Sequence, residues 1–442
     1  MDAGGEIGPF RPARPTAPSR GTQKILLATH GSWGDLHPFI ALGRALKARG
    51  CDVVLASHPD YREKVESTGL VFLPFGASRH TYTTDLRLRP DEIIKRLSSD
   101  HGFLIRHLIL PYLSSSIREL EGAAADCDLV LGSTFAYAAD IAAQLAGKPF
   151  TTIALAPTVM MSAYDPPKVH QAPFILAPRN DIARLYNRWV IQAGEQLMAA
   201  SQSRVREIYR RHGLQAHIGL GGIISRHQTL ALYSPHLAAP QPDFPYDTHI
   251  VGFPFYDAES GSSAAMPAPL EAFLNSGPPP LVFSLGTAVV YGGETYYRRA
   301  IAISRALGER CVILSGPDSP LLSEDRGTDI CITAYAPHSL LFPRCRLIIH
   351  HGGIGSTAQA LRSGRPQLVT PVFGDQFDNA RRIRNLGAGL VLDFRHWRPD
   401  PAINRLQRLL SDRTFADRAS ALARQVARED GASRAAAIVT TP

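Results

Sequence analysis

The 442-residue sequence has few cysteines: five in all, an odd number without a CxxC pair. Most lie in or beside apolar runs, so buried thiols in a reducing compartment explain them better than disulfides or zinc ligation. No apolar stretch is long enough to cross a bilayer. Residues 1–22 lack the apolar middle of a signal peptide, and we interpret them as a disordered extension on a cytoplasmic protein.

The charge balance is mildly basic, with 47 Lys and Arg against 39 Asp and Glu and a formal net charge of +8. The basic residues form no dense run and no pattern interleaved with aromatics, so the sequence does not predict a nucleic-acid partner. A basic surface, or a cleft that receives an anion, accounts for this charge.

Short apolar runs alternate with helix-length segments in both halves of the chain, which predicts two doubly wound parallel sheets in an α/β protein. Ligands of such sheets bind at the carboxyl ends of the strands, where the strand order reverses. The runs that predict strands are Lys24–Thr29, Asp52–Ser57, Leu70–Pro74, Leu129–Gly132, Phe150–Ala154, Leu281–Ser284, Cys311–Ser315, Ile330–Ala334, Leu347–His350, Gln367–Thr370 and Gly389–Leu392.

The division into domains follows from composition. Residues 23–240 and 281–400 each carry the alternating pattern, and Pro, Ala, Gly and Ser cluster between them, so 241–280 is interpreted as a linker. Residues 401–442 return to amphipathic helix. We therefore expect a disordered extension over 1–22, two α/β domains, a linker and C-terminal helices.

A glycine-rich turn, His350-His-Gly-Gly-Ile-Gly-Ser-Thr357, follows one predicted strand of the second half and opens a helix. Its glycines let a ligand approach the backbone, and the helix amides and dipole favour phosphate. The imidazole of His351 can add a hydrogen bond or a positive charge to a diphosphate. A tight strand-to-helix turn without a ligand is the alternative.

A second cluster, Pro371–Ala380, also lies between a strand and a helix, so we expect it in the same crevice. It contains Asp375 and Gln376 side by side. A carboxylate and an amide suit vicinal sugar hydroxyls, because both accept hydrogen bonds and Gln also donates. The alternative role of Asp375 is to cap the helix that follows.

Together, Tyr335-Ala-Pro-His-Ser-Leu-Leu, the His350–Thr357 turn and Gly374-Asp-Gln-Phe-Asp-Asn-Ala380 resemble the donor-binding signature of family 1 glycosyltransferases. The resemblance runs from about Lys24 over most of the chain. It is strongest with bacterial rhamnolipid rhamnosyltransferase-type enzymes and with sterol and antibiotic glucosyltransferases. It implies the GT-B fold, in which two Rossmann-like domains face an interdomain cleft, with the acceptor in the N-terminal domain and the donor in the C-terminal domain.

The resemblance also implies an inverting hexosyltransferase that uses a UDP- or dTDP-sugar and no metal or other cofactor, and no Asp-x-Asp metal motif stands in the expected place. Tyr335 would stack on the base, the backbone of Ala336 would contact the base edge, and Asp375 and Gln376 would hold the sugar. The remaining nucleotide and diphosphate contacts would come from Ser284, Thr287, His351, Gly353, Gly355, Ser356 and Gln359.

Two positions depart from the family pattern. Many relatives have Glu where this chain has Gln359, and that Glu grips both ribose hydroxyls. The neutral amide makes a deoxyribose donor such as a dTDP-sugar more plausible. His338 stands where plant members have Gln, so the base contact made there does not carry over.

The first half offers a general base. Pro38 predicts the first turn of a helix that ends near Arg49, and Asp35 precedes that proline by three residues. Bacterial antibiotic and lipid enzymes of the family carry a catalytic Asp at this place, so Gly34-Asp35 resembles that base. A positioned carboxylate removes the proton that makes a hydroxyl a poor nucleophile. The alternatives are that Asp35 only caps the helix and that His37 is the base.

The acceptor site is less clear from the sequence. Phe103–Leu113 is strongly apolar and predicts either core or the wall of an apolar acceptor pocket or membrane-surface patch. With the family resemblance, this favours a lipophilic hydroxylated acceptor, and the membrane-surface alternative predicts a cytoplasmic protein in peripheral contact with the membrane. A nucleotide-sugar epimerase of the same fold and a catalytically silent nucleotide-binding partner protein are the other candidate functions.

Overall fold

The computed structural model of the protein describes residues 22–100, 102–168, 175–245, 247–256, 265–286, 293–323 and 327–441. Two parallel sheets organise these residues, one in each half of the chain, as predicted. The strand order of the first sheet is β3-β2-β1-β4-β5-β8-β9. Its strands, with the small antiparallel hairpin β6–β7, are β1 Lys24–Ala28, β2 Asp52–Ser57, β3 Val71–Pro74, β4 Leu129–Ser133, β5 Phe150–Ala154, β6 Ile218–Gly219, β7 Gly222–Ile223, β8 Gln228–Ala231 and β9 Thr248–Ile250.

The second sheet has the order β12-β11-β10-β13-β14-β15. Its order reverses between β10 and β13, where Ser284 and His350 are register partners at the carboxyl ends. The glycine-rich turn therefore leaves the sheet at its switch point. The strands are β10 Leu281–Ser284, β11 Cys311–Leu314, β12 Ile330–Thr333, β13 Leu347–His350, β14 Gln367–Val369 and β15 Gly389–Val391.

Helices cover both faces of each sheet. Those of the first half are α1 Trp33–Ala48, α2 Arg62–Glu66, α3 Arg79–Leu86, α4 Pro90–Ser99, α5 Leu113–Asp126, α6 Tyr137–Leu145, α7 Asp181–Ser201 and α8 Ser203–Arg211, with a π-helix at Leu104–Ile109. Those of the second half are α9 Ala268–Asn275, α10 Glu294–Ala306, α11 His338–Leu341, α12 Ile354–Ser363, α13 Gln376–Leu386, α14 Pro399–Ser411, α15 Arg413–Val426 and α16 Gly431–Thr440. No helix among the described residues is both long and apolar enough to span a bilayer.

The prediction that the first helix starts at Pro38 is wrong, because α1 already begins at Trp33 and Pro38 lies inside it. Ser32 is the N-cap and accepts a hydrogen bond from the backbone N–H of Gly34. This cap satisfies one of the helix's free amides and so fixes the start five residues before Pro38.

Strands β8 and β9 were not predicted, and β9 falls inside the range 241–280 that was interpreted as a linker. β8 has four residues and β9 three, and neither forms a continuous apolar run that would mark it as a strand in the sequence. At the other end of the chain, α16 returns to the first half, where Ala432 and Ala435 share an apolar cluster with Leu36 and Ile40 of α1. The last helix therefore packs on the first half.

A buried charge network joins the two halves. Asp165, in the loop after β5, accepts hydrogen bonds from Arg382 at 2.5 Å and Arg381 at 3.1 Å, both on α13. The same arginines donate to Asp378, which also accepts the backbone N–H of Lys168 at 2.9 Å. Burial alone would raise the pKa of Asp165, but the charges of Arg382 and Arg381 outweigh it and lower that pKa.

Candidate active site

Asp35 is in the first turn of α1, directly after β1. Its Oδ2 accepts hydrogen bonds from the backbone N–H of Ser32 at 2.7 Å and from the Ser32 hydroxyl at 3.0 Å. Gly31 has φ +144°, and a Cβ there would lie 2.3 Å from the same Oδ2. Asp35 thus belongs to a capping box, which is the alternative role considered for it from the sequence. Glycine at position 31 leaves room for this carboxylate. Burial raises the pKa of Asp35, against the two bonds from Ser32.

Asp375 stands at the N-terminus of α13 but makes no capping bond with its side chain. It accepts instead from the Asn379 amide at 2.8 Å, and the same amide nitrogen donates to the carbonyl of Gly352 at 2.9 Å. Asn379 thereby holds the carboxylate against the glycine-rich turn, a role that was not predicted.

The charge of Asp35 acts on Asp375 across the two halves. The pKa of Asp375 is raised to about 7, first by burial and then by the negative charge of Asp35. Buried carboxylates whose pKa is raised by a neighbouring charge are common in catalytic clefts. The structure therefore brings together the candidate base of the first half and the candidate sugar ligand of the second.

The glycine-rich turn is held rigidly by His350. Its Nδ1 accepts the backbone N–H of Gly352 at 3.2 Å, and its Nε2 donates to the side-chain oxygen of Gln367 at 2.9 Å. Gly352 has φ +90°, and a Cβ there would lie 2.7 Å from the Val369 side chain. Only glycine fits this position, because both the conformation and the space exclude a side chain.

His351 is buried beside this turn, with its ring against Gly286; a Cβ on Gly286 would lie 2.3 Å from the ring. Burial, followed by the neighbouring His350 and His338, lowers the pKa of His351 to about 3. Without a ligand the imidazole is therefore neutral and offers a hydrogen bond, and the positive charge that we also considered would need the pKa to rise beside a bound diphosphate.

Three buried polar atoms at the turn have no hydrogen-bond partner among the described residues: His351 Nδ1, Thr357 Oγ1 and the Gln359 side-chain oxygen. Buried polar atoms are rarely left without a partner, so a bound ligand or water is expected to complete them. Gly353 is the N-cap of α12 and has no side chain to bond the helix amides, and a Cβ on Gly355 would meet only open space. Ser356, in the first turn of α12, is buried.

Gln376 is more constrained than its sequence suggested. Its Oε1 accepts the backbone N–H groups of Val372 at 2.9 Å and Phe373 at 3.2 Å. The side chain is buried, so its Nε2 donor is what it can offer to a sugar hydroxyl. The expectation that Gln376 also accepts from the sugar is therefore not supported by this geometry.

The other predicted donor residues lie along the same edge of the second sheet. Ser284 ends β10, and its Oγ accepts the backbone N–H of Gly286 at 3.4 Å. Tyr335 is partly buried in the loop between β12 and α11, and Ala336 is fully buried. Thr287 lies outside the described residues.

Histidines surround the cleft on the first half. His37 lies between the rings of Trp33 and Tyr256, with centroids 5.6 and 5.4 Å away. Burial, then the charges of Lys64 and His338, lower the pKa of His37 to about 3. His37 is thus a neutral group within an aromatic cluster, whereas burial raises the pKa of the Asp35 carboxylate.

His30, at the end of β1, lines a narrow apolar cavity. Its Nε2 lies 3.3 Å from the Tyr82 hydroxyl, which also donates to the carbonyl of Leu108 in the π-helix at 3.1 Å. Leu108, Ile109, Tyr112, Leu113 and Phe135 line the same cavity. The apolar Phe103–Leu113 segment is therefore largely core, with one end that forms a cavity wall.

Comparison with known proteins agrees with this architecture. Residues 25–152 match the glycosyltransferase family 28 N-terminal domain, and residues 319–438 match the erythromycin biosynthesis protein CIII-like C-terminal domain. The O-mycaminosyltylonolide 6-deoxyallosyltransferase of Streptomyces fradiae is 29% identical over 433 residues, which are 94% of this chain and 96% of that protein. The vancomycin aglycone glucosyltransferase of Amycolatopsis orientalis is 29% identical over 435 residues, 94% of this chain and 97% of that protein. The chain belongs to the GT-B glycosyltransferases.

A spinosyn rhamnosyltransferase crystallised with thymidine diphosphate shares the fold of this GT-B glycosyltransferase, with a TM-score of 0.64 at 20% identity over 95% of this chain and 100% of that one. The predicted family and GT-B fold are thus confirmed, with macrolide, glycopeptide and sterol glycosyltransferases as relatives. The enzyme is a nucleotide-sugar-dependent glycosyltransferase.

Proposed function

We propose that this enzyme transfers a hexosyl group, with inversion at the anomeric carbon, from a dTDP- or UDP-sugar to a hydroxyl of a lipophilic small molecule. The N-terminal domain holds the acceptor and the C-terminal domain the donor. The observation that carries the proposal is the interaction of Asp35 with Asp375, beside a glycine-rich turn whose buried polar atoms lack partners.

In this mechanism Asp35 accepts the proton of the acceptor hydroxyl while the hydroxyl oxygen attacks the anomeric carbon. The raised pKa of Asp35 favours this proton transfer. The bond to the leaving diphosphate breaks on the opposite face of the sugar. The free amides at the start of α12 and the neutral His351 then stabilise the negative charge that forms on the diphosphate.

The proposed contacts with the donor combine the geometry of Asp375 and Gln376 with the family resemblance. Asp375 accepts hydrogen bonds from sugar hydroxyls, and Gln376 donates through its Nε2. Tyr335 stacks on the base, and Gln359 replaces the ribose-binding Glu of many relatives. This neutral amide favours dTDP over UDP, and the thymidine diphosphate bound by the spinosyn enzyme supports the same choice.

A lipophilic acceptor is supported by the relatives and not by the apolar cavity beside His30, whose volume of about 10 Å³ holds no more than one water. The relatives act, by their names, on a macrolactone and a glycopeptide aglycone, which are both large hydroxylated natural products. Polyketide-like compounds are therefore the first acceptors to test, followed by hydroxyacyl lipids and sterols.

The test compares the parent enzyme with Asp35→Asn. Asn keeps the shape of Asp and can still accept the N–H of Ser32, so the fold and the rise in melting temperature with dTDP should persist. Transfer from dTDP- and UDP-sugars to a panel of polyketide aglycones should fall by roughly 10²–10⁴-fold, the usual contribution of a general base. The matched control is Asp52→Asn, an exposed carboxylate at the start of β2, at the opposite edge of the sheet.

Equal transfer by Asp35→Asn and the parent would remove Asp35 from the mechanism. A rise in melting temperature with dTDP but no transfer by the parent to any acceptor would favour the silent-partner alternative.

A further inference from the structure

Helix α7 carries an apolar stripe that faces solvent from Ile182 to Leu197. Ile182, Leu185, Trp189 and Leu197 are 80%, 66%, 65% and 78% exposed, and Tyr186 lies between them. Their spacing of three, four and eight residues puts them on one side of the helix. At 1.5 Å per residue this stripe is about 22 Å long. Contiguous exposed apolar surface of this size is rare on a protein that has no partner there.

The outward orientation of the stripe is built into the fold, because the other side of α7 is anchored. Asn187 is fully buried and exchanges two hydrogen bonds of 2.9 Å with the backbone of Leu176. Ala183, one turn earlier on the same side, is also buried. The helix therefore cannot rotate to hide the stripe without breaking the bonds of Asn187.

The charge around the stripe is strongly basic. Residues 175–226, which contain α7, α8 and the β6–β7 hairpin, hold eight arginines against three acidic residues. This segment alone has a formal charge of +5, more than half of the +8 of the whole chain. Arg179 and Arg188 of this segment are exposed, whereas Arg184 pairs with Asp181 at 2.8 Å and lies over the Tyr164 ring, away from the stripe.

We propose that α7 docks on an anionic lipid surface, with the Ile182–Leu197 stripe inserted among the headgroups and acyl chains. An exposed helix with Trp and Leu on one side, in a segment of net positive charge, has the chemistry of an interfacial helix. The basic segment complements anionic headgroups, which a second copy of this equally basic surface would not do. The surface is thus separate from the buried Phe103–Leu113 segment, the membrane patch considered from the sequence.

This inference does not depend on the proposed donor or acceptor. It brings the first half of the enzyme to compounds that partition into bilayers, since α7 belongs to that half.

The experiment is sedimentation of the full chain with large unilamellar vesicles of phosphatidylcholine, with or without 30 mol% phosphatidylglycerol. The variants are Leu185→Ser/Trp189→Ser, which removes the centre of the stripe, and Arg179→Glu/Arg188→Glu, which reverses two exposed charges of the basic segment. The matched control is Val71→Ser, an apolar residue of the same half that is 61% exposed on the edge strand β3. The melting temperature of each variant establishes that it is folded.

We expect the parent and Val71→Ser to bind anionic vesicles, and to bind less at high salt. Binding to pure phosphatidylcholine should be much weaker, and each double variant should lose about tenfold or more in partitioning. Failure of the parent to bind anionic vesicles would overturn the proposal, and so would binding that the double variants leave unchanged. If the parent forms a dimer and does not bind vesicles, and if Leu185→Ser/Trp189→Ser is monomeric, the stripe is an interface with a second copy instead.

Discussion

Asp375→Asn should make the ligand-free enzyme more stable at alkaline pH while it damages transfer. The folded pKa of Asp375 is raised from 3.8 to about 7. Between about pH 4 and pH 7 the folded protein therefore holds a proton that the unfolded chain has released. Since the unfolded state binds fewer protons in this window, stability falls as pH rises through it.

The magnitude follows from the two pKa values. At 1.36 kcal/mol per pKa unit, the difference between 3.8 and about 7 corresponds to about 4 kcal/mol. Asp375 is only partly buried, and solvent screens part of this energy. We therefore expect the ionised carboxylate to lower the free energy of unfolding by about 2–4 kcal/mol above pH 8. Asn carries no charge, and its side-chain oxygen can still accept from the Asn379 amide.

The assay is thermal unfolding at pH 5 and pH 8.5. At pH 5 the carboxyl is already protonated, so the melting temperature of Asp375→Asn should differ from the parent by no more than about 2 °C. At pH 8.5 it should exceed that of the parent by roughly 5–10 °C. In an Asp35→Asn background, the difference in melting temperature between proteins with and without Asp375→Asn should be smaller, because the charge of Asp35 contributes to the raised pKa of Asp375.

The control is Asp417→Asn, an exposed carboxylate on α15, which should follow the parent at both pH values. A melting difference that is the same at pH 5 and pH 8.5, or a variant that is less stable at pH 8.5, would refute the electrostatic reasoning.

Three further substitutions test the turn and the contact between the halves. Gly352→Ala should destabilise the fold by about 1–3 kcal/mol in denaturant unfolding, because its Cβ would lie 2.7 Å from Val369 at φ +90°. Gly355→Ala should keep or slightly raise stability but weaken dTDP binding in calorimetry, since its Cβ points into open space at the donor site; equal dTDP affinity would place the diphosphate elsewhere. Asp165→Asn should lower stability by about 1.5–3 kcal/mol, because it weakens charged hydrogen bonds from Arg381 and Arg382, and an unchanged midpoint would show that the network contributes nothing.

Much of the fold could be predicted because its strands are continuous apolar runs. Strands β2, β5, β10 and β13 have the bounds that the sequence indicated, since both faces of a parallel sheet are buried and the runs end abruptly. The start of α1 was missed because Pro38 is a strong but ambiguous signal, and the cap at Ser32 is decided by one local hydrogen bond.

The candidate site was predictable only where a motif carries it. The glycine-rich turn and Asp375 could be found because they are contiguous in sequence. Asn379 and Gly286 could not, because their roles come from contacts with Gly352 and His351 that the fold alone creates. The link between Asp165 and α13 spans more than 200 residues, and no local pattern indicates it.

Helix α13 makes two of these features inseparable. Its N-terminus carries Asp375 and Gln376, the proposed sugar ligands, and its next turns carry Asp378, Arg381 and Arg382, which bind the Asp165 loop. A helix of 11 residues is one rigid body at this scale. Any movement of the second half against the Asp165 loop must therefore move Asp375 relative to Asp35. The ion pairs that join the two halves therefore also determine the distance between the proposed base, Asp35, and the proposed sugar ligand, Asp375. A change in these ion pairs should alter the cleft and the position of the sugar together.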